Sequence, residues 1–435
     1  MPSLTEDLQT TVRSSTGTSL TFNGDIHALL DIQNIPQGQF NERMIAYVTT
    51  LDATVITAAG ALNYALSNPN NFVSVLATAS FFAPLTSSLS LSKGTGVATF
   101  TRATTATVMG YAPTAVAGDA QVLLTCAAGE ARFEGARRVS QGVWSEVLSD
   151  GTAIPAATLK GYLAEGAATN LFLNSATLVT QTVTLAAGSN TLSFYGTGTV
   201  ILSGVATGTL VGTGAANRVS LTVTATAGAC VATVTGSCTS GQLELGATAT
   251  SYIPTTTVAV TRNADTDTYP TAGNLVAAQG TLYGEFVPNS TAQSSIFMIY
   301  IDLNNYIDLS YNYVTPQGLI LRKNVAGVTV SIQSALNVIT VGVKVKWALS
   351  YGPSGLSLAL NGVVVHNAST TVLASLPVNM QFMMNQISTG QINNTAENLR
   401  LWTTQLTATQ LVQITTPTTY LLGTTFILGT SSLGA

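Results

Sequence analysis

Two rhythms of apolar and polar residues divide this chain. Up to about residue 80 the spacing is helical: Phe40, Met44, Ile45, Val48 and Leu51 fall mostly three or four apart, and after an interruption around Thr49-Thr50 the stripe runs on through Val55, Ala59, Leu62 and Leu66 until Asn68-Pro69-Asn70 stops it. A shorter helix opens at Ser3-Leu4-Thr5-Glu6-Asp7, with Ser3 as its cap and two carboxylates in the first turn. From about residue 84 the period drops to two. GVATFTRATTATVMGY, AQVLLTCAAGEARFEG, NTLSFYGTGTVILSG and NRVSLTVTATAG alternate apolar residues with Thr and Ser between Gly, Asn and Pro punctuation. This is the grammar of short antiparallel strands, and without a βαβ rhythm a doubly wound nucleotide-binding fold is not expected.

Longer strands follow in GTLYGEFVPN, SSIFMIYID, NYIDLSYNYV, GLILRKNVAG and KVKWALSYGPSGLSLALNGVVVHN, and the segment NLRLWTTQLTATQLVQIT predicts a last helix capped by Thr407. The predicted fold class is therefore mainly β, with antiparallel jelly-roll or sandwich modules behind a small helical N-terminal domain. The expected division is a helical domain at 1–83, a β-rich connecting region at 84–160, a β module at 161–265, a sandwich at 266–418 and an apolar tail at 419–435.

Composition narrows the function. Charged residues make up 8% of the 435 and apolar residues 46%, against about 25% charged in ordinary soluble domains. Solvation falls to Thr, Ser, Asn and Gln, which suits strands and tight subunit surfaces. Net charge is −4, and no basic cluster exceeds Arg137-Arg138 or Arg322-Lys323, so nucleic acid is not an expected partner. MPSLTEDLQTTVR lacks a basic segment followed by an apolar core, so a conventional signal peptide is not expected. The tail TYLLGTTFILGTSSLGA is too interrupted for a membrane span and reads as a strand or subunit contact. Of the three cysteines, Cys230 and Cys238 bracket a hairpin turn that permits a disulfide; two buried thiols is the simpler reading, with Cys126 left over.

Four segments form an ordered set: TFTRATTATVM at 99–109, GEARFEG at 129–135, GYLAEGAATNLFLNS at 161–175 and GQLELGATATSYIPTTTVAVTRNAD at 241–265. Together they resemble the framework of tailed-bacteriophage virion proteins of the tail-fibre or minor structural type, in which a carbohydrate-binding-like jelly roll precedes a lectin-like sandwich. Their residues also have plain structural readings. Phe100 and Phe133 are expected in the core, Arg102 and Arg132 can satisfy Glu134 or Glu165, and Glu244, between two leucines, must be solvated or paired. Residues 278–416 resemble a concanavalin A-like, laminin-G-type sandwich, with a Trp-bearing strand around Trp347, an Asn361-Gly362 turn and a final Arg-Leu-Trp strand before the last helix.

Candidate chemistry is sparse. Asp302 and Asp308 can approach through the Asn304-Asn305 turn, but the Glu-x-Asp-x-x-Glu strand of the sandwich-type glycosidases is missing, and His27 and His366 fall in different modules. No GxSxG, HExxH or Walker motif occurs, so the chain is not expected to be an enzyme and no cofactor is required. Asp302, Asn304, Asn305 and Asp308 have the hard-oxygen chemistry of a calcium site, although a solvated hairpin explains the same residues without metal and is the leading reading. Glycan binding could use Tyr306, Tyr311, Tyr313 and Tyr351 for stacking and Asn304 and Asn305 for hydrogen bonds.

The resemblance implies a non-enzymatic virion protein made in the host bacterial cytoplasm: a tail fibre, tail tip or head fibre contributing to attachment to host-surface glycans. Its implied partners are other virion proteins, further copies of itself as a homotrimer, and a host cell-surface glycan, without membrane insertion. A decoration or baseplate protein that binds neighbouring virion proteins is the alternative, and a bacterial glycan-processing or adhesive protein a third.

Overall fold

The computed structural model describes residues 75–113, 118–289, 294–311, 318–334, 339–367, 373, 375–383 and 393–417. The helical stripe, the apolar tail, His27 and Tyr313 lie outside these residues. At the end of the expected helical module residues 75–77 are helical, and Phe81–Ala83 is a buried strand that pairs with Asn393–Trp402.

Among the described residues the strand pairs are antiparallel except for a parallel bridge between Tyr111 and Arg137. Two large sheets enclose the main core. One has eight strands, in the order Val363–Asn367, Gly355–Leu360, Val345–Gly352, Gly280–Pro288, Asn393–Trp402, Gly161–Glu165 and Phe133–Glu134, with Phe81–Ala83 also on Asn393–Trp402. The other has seven: Thr99–Thr101, Thr266–Pro270, Asn379–Phe382, Ser294–Asp302, Asn305–Tyr311, Leu319–Val325 and Val328–Gln333. Trp347, Leu349, Leu282 and Phe286 of the first sheet face Ile299, Ile307, Leu309 and Leu321 of the second. Four of the strands completing these sheets lie before residue 166 in the chain. The sandwich is thus assembled from distant sequence.

A third layer covers the outer face of the eight-stranded sheet. There the helix Ala408–Thr415 lays Leu411 and Ile414 on Tyr283, Ala348 and Ala359, joined by Val75, Leu76 and Trp402. Thr407 caps this helix in a reciprocal box with Gln410, which satisfies two end N–H groups.

Between the strands of the large sandwich sits a smaller one. The chain runs in along Ala168–Asn170 and back out along Val260–Arg262, and these two strands pair with each other. Beyond this neck, a four-stranded sheet (Gln181–Leu185, Gly228–Thr235, Thr199–Gly204, Gly208–Val211) packs on a three-stranded one (Gly214–Ala225, Gly188–Gly196, Cys238–Leu245). Phe172, Leu192, Phe194, Val200 and Leu243 fill its core. Cys230 and Cys238 belong to different sheets of this unit and are both buried free thiols. A further four-stranded sheet holds Asp119–Cys126, Ala106–Pro113, Arg137–Ser140 and Val143–Ser145.

Candidate functional site

The four ordered segments meet where the neck joins the large sandwich, around charged side chains that are almost entirely buried. Arg132 donates through Nη1 to Glu165 Oε2 (2.7 Å), Ser251 Oγ (2.7 Å) and the Thr107 carbonyl (2.8 Å), and through Nη2 to Asp265 Oδ2 (2.5 Å). Arg102 donates to the other Asp265 oxygen (2.8 Å) and to the carbonyls of Thr104, Ala127 and Glu130. Arg262 donates to Glu165 and to the Gly166 carbonyl. Glu165 also accepts from Ser251 N (2.6 Å) and Ser251 Oγ (2.5 Å). Burial alone would raise the Glu165 pKa, but Arg262, Arg132 and the Ser251 donors outweigh it and hold the carboxyl at about 2.

This cluster clasps the two sandwiches together. Of the partners expected for the arginines, Glu165 is one; Glu134 instead pairs with Lys160 near the surface, and Arg102 takes Asp265. Glu244 is buried and accepts from Gln242 (2.5 Å) and from Thr250 N (2.8 Å) and Oγ1 (2.7 Å), while burial raises its pKa. The Asn170 amide bonds the Gly241 and Ile253 carbonyls, and its oxygen accepts from Phe172 and Leu243. These segments therefore build the joint, leaving ligand contact to be sought elsewhere.

The accessible residues of the proposed glycan set lie at one end of the seven-stranded sheet. The hairpin between Ser294–Asp302 and Asn305–Tyr311 turns on Asp302, whose carboxylate accepts from Asn304 N (2.7 Å) and Asn305 Nδ2 (3.0 Å). The tip leans on the next hairpin: Asn324 Nδ2 donates to the Leu303 carbonyl, Ala326 N to Asn305 Oδ1 and Gly327 N to the Asn304 carbonyl, each at 3.3 Å. Tyr300 and Tyr306 are cross-strand partners, both half-buried. Leu303 (65% exposed) and Val328 (66%) stand beside the Asn304 and Asn305 amides. The result is a two-hairpin rim with aromatic, amide and aliphatic surface.

The structure brings Asn304, Asn305 and Tyr306 together here, but not Tyr311 and Tyr351. Period-two alternation turns Tyr311 inward with Ile307 and Leu309, where it meets Phe286 edge-on at 6.1 Å. Tyr351 belongs to the other sheet, fully buried, with its hydroxyl donating to the Val276 carbonyl (2.8 Å). Neither ring can stack on a sugar. Tyr300, Leu303, Asn324 and Val328 join the rim instead; hairpin register, which a sequence does not display, is what places them.

The suggested calcium set is also divided. Asp302 stands opposite Asn305, whereas Asp308 stands opposite Met298, a separation of about 13 Å along the strand. The Asp308 carboxylate is buried against Ser295 (2.9 Å), Ser310 (2.5 Å) and Arg322 (2.5 Å). Among the described residues no group of three or more His, Cys, Asp or Glu side chains is placed to hold a metal.

Two other constellations emerge from strand pairing. Glu285 and Glu397 are direct cross-strand partners, and Lys344 pairs with both, lying 3.7 Å from Glu285. They stand side by side on one sheet face. Ser357 Oγ lies 2.8 Å from His366 Nδ1 on the neighbouring edge strand.

No protein-family model matches the sequence, and no curated protein matches it. Parts of the chain are similar to solved structures. A heptameric SAP-like pentraxin from Limulus polyphemus is 16% identical over 31% of this chain and 69% of its own, with a TM-score of 0.26. A Trypanosoma rangeli sialidase in complex with sialic acid is 13% identical over 34% of this chain and 26% of its own, with a TM-score of 0.27. Domain 4 of an extracellular GH43 arabinanase from Geobacillus stearothermophilus, in complex with arabinotriose, is 18% identical over 35% of this chain and 73% of its own, with a TM-score of 0.29.

Proposed function

We propose that this chain is a non-enzymatic surface appendage of a tailed-bacteriophage particle, in which the large sandwich attaches to a host-surface glycan through the two-hairpin rim. The ordered segments around Arg102, Arg132, Glu165 and Asp265, by their resemblance to virion proteins, support the setting. The observation that carries the glycan reading is the rim, where the Tyr300–Tyr306 pair, the Asn304 and Asn305 amides and the Leu303 side chain share one accessible end of a rigid sheet. An aromatic beside amide groups is a surface on which a sugar ring can stack and hydrogen-bond. Such contacts are weak singly, and display in several copies raises them through effective concentration.

Binding of the full chain to host envelope polysaccharide tests this. Tyr306→Ala with Asn305→Ala should weaken capture about tenfold or more while the chain still melts cooperatively, and labelled-particle electron micrographs should place the chain on the virion. Undiminished capture by the double variant would remove the rim from the reading. The exposed Leu303 and Val328 favour a second reading, in which the rim seats a neighbouring virion protein. Retention on assembled particles without any glycan binding would select it.

A further inference from the structure

The smaller sandwich ends, on one side, in the edge strand Gly214–Ala225, which is bulged at its start, between Gly214 and Arg218, and unprotected along the rest. Within Gly214–Ala225 the pairing with Gly188–Gly196 is regular from Arg218 to Ala225, and among the described residues the strand has no other neighbour in its sheet. Natural edge strands are kept from pairing with other chains by charges, proline, bulges or brevity. Residues 219–225, VSLTVTA, contain no charge and no proline, and Thr222 and Thr224 leave their faces open to solvent. The one charge on the regular stretch, Arg218, is turned back onto its own module, donating to the Thr250 carbonyl (2.7 Å) and Ser193 Oγ (2.8 Å). On the same side the opposing sheet also ends in an edge strand, Gly208–Val211, with Val211 57% exposed.

We infer that this edge is a self-association surface, on which the Arg218–Ala225 segments of two copies pair antiparallel across a two-fold axis. The choice of a second copy rests on self-complementarity. Opposite residues of an antiparallel pair share a face, so the register must match odd positions with odd and even with even. Centring the uncharged stretch puts the axis at Thr222. Ser220 then faces the partner's Thr224, Leu221 faces the partner's Val223, and Val219 faces the partner's Ala225. Apolar meets apolar on the inner face and hydroxyl meets hydroxyl on the outer, with no like charges opposed. A two-fold contact of this kind is isologous and closes on a pair. A threefold particle would have to use another surface.

The register can be tested by charge. Ser220 and Thr224 are exposed, so the lysine variants should fold, as melting temperature would verify. In the full-length protein, light scattering across a dilution series should show wild type pairing. Ser220→Lys with Thr224→Lys sets two lysines against two and should weaken association at least tenfold, whereas Ser220→Lys with Thr224→Glu sets each lysine against a glutamate and should restore it. A monomeric wild type, or equal masses and dilution behaviour for all three proteins, would overturn the inference.

Discussion

The clasp permits a quantitative test, because its charges do not balance. Arg102, Arg132 and Arg262 stand against Glu165 and Asp265, and every one of these side chains is at most 1% exposed. Replacing Arg132 with Met removes four donated hydrogen bonds, yet leaves two cations with two anions, Arg102 on Asp265 and Arg262 on Glu165. Replacing Asp265 with Leu leaves three guanidinium groups around a single carboxylate and strips acceptors from Arg102, Arg132 and the Glu165 N–H. Breaking a buried pair costs about 3–5 kcal/mol because an uncompensated charge stays behind. The arginine variant should therefore fall near the lower end, about 3 kcal/mol, and the aspartate variant at the upper end or beyond. Thermal unfolding followed by the fluorescence of Trp144, Trp347 and Trp402, all buried, reads the difference, at roughly 2–4 °C per kcal/mol for a domain of 150–250 residues. Lys160→Ala, which breaks the half-exposed pair with Glu134, is the control, expected to cost under about 1 kcal/mol. If Asp265→Leu is no more damaging than Arg132→Met, or if both match the control, the charge-balance reasoning fails.

Three further outcomes follow from the same geometry. Because the Glu165 pKa is held at about 2 in the folded chain, below its ordinary carboxylate value, its stabilisation is complete above pH 5 and drains away as pH falls towards 2; Glu165→Gln should melt lower at pH 7 and lose less on acidification. Asp267 is fully buried, and burial raises its pKa well above the usual carboxylate range, with Asp265 adding to the rise and the Tyr269 hydroxyl and Thr268 amide opposing it. It therefore favours folding most below pH 4 and progressively less as pH rises, so the melting temperature of Asp267→Asn relative to wild type should climb between pH 4 and 8; a constant offset would count against a neutral Asp267. Gly161 has φ +83° and lies against the Ala396 carbonyl, so Gly161→Ala meets both a strained backbone and a collision, and should cost more than about 1 kcal/mol in the same melt.

The sequence made the class of fold readable because period-two alternation and turn residues are local signals. VKWALSYG, GLSLAL and the Thr407 cap are where that reading places them. Two things escaped. One is the contribution of Phe81–Ala83, Phe133–Glu134 and Gly161–Glu165 to the large sandwich, since pairing across hundreds of residues leaves no local trace. The other is which tyrosines are accessible: Tyr306 and Tyr311 look alike in a list of aromatics, yet an odd number of steps along one strand separates a rim residue from a core residue. The clasp was half visible. In a chain with 8% charged residues, each Arg and Asp inside an apolar β segment asks for a counter-ion, but only the fold reveals that Arg102 chooses Asp265.

The neck has a geometric consequence. Because the polypeptide leaves the large body along Ala168–Asn170 and rejoins it on the adjacent strand Val260–Arg262, the ends of everything between them are a strand-spacing apart, about 5 Å. A cassette whose termini meet at that distance leaves the host's backbone ladders in place, provided it also supplies the donors that Ser251 gives Glu165. The locus is thus suited in geometry to exchange of the passenger while the chassis keeps its own pairing.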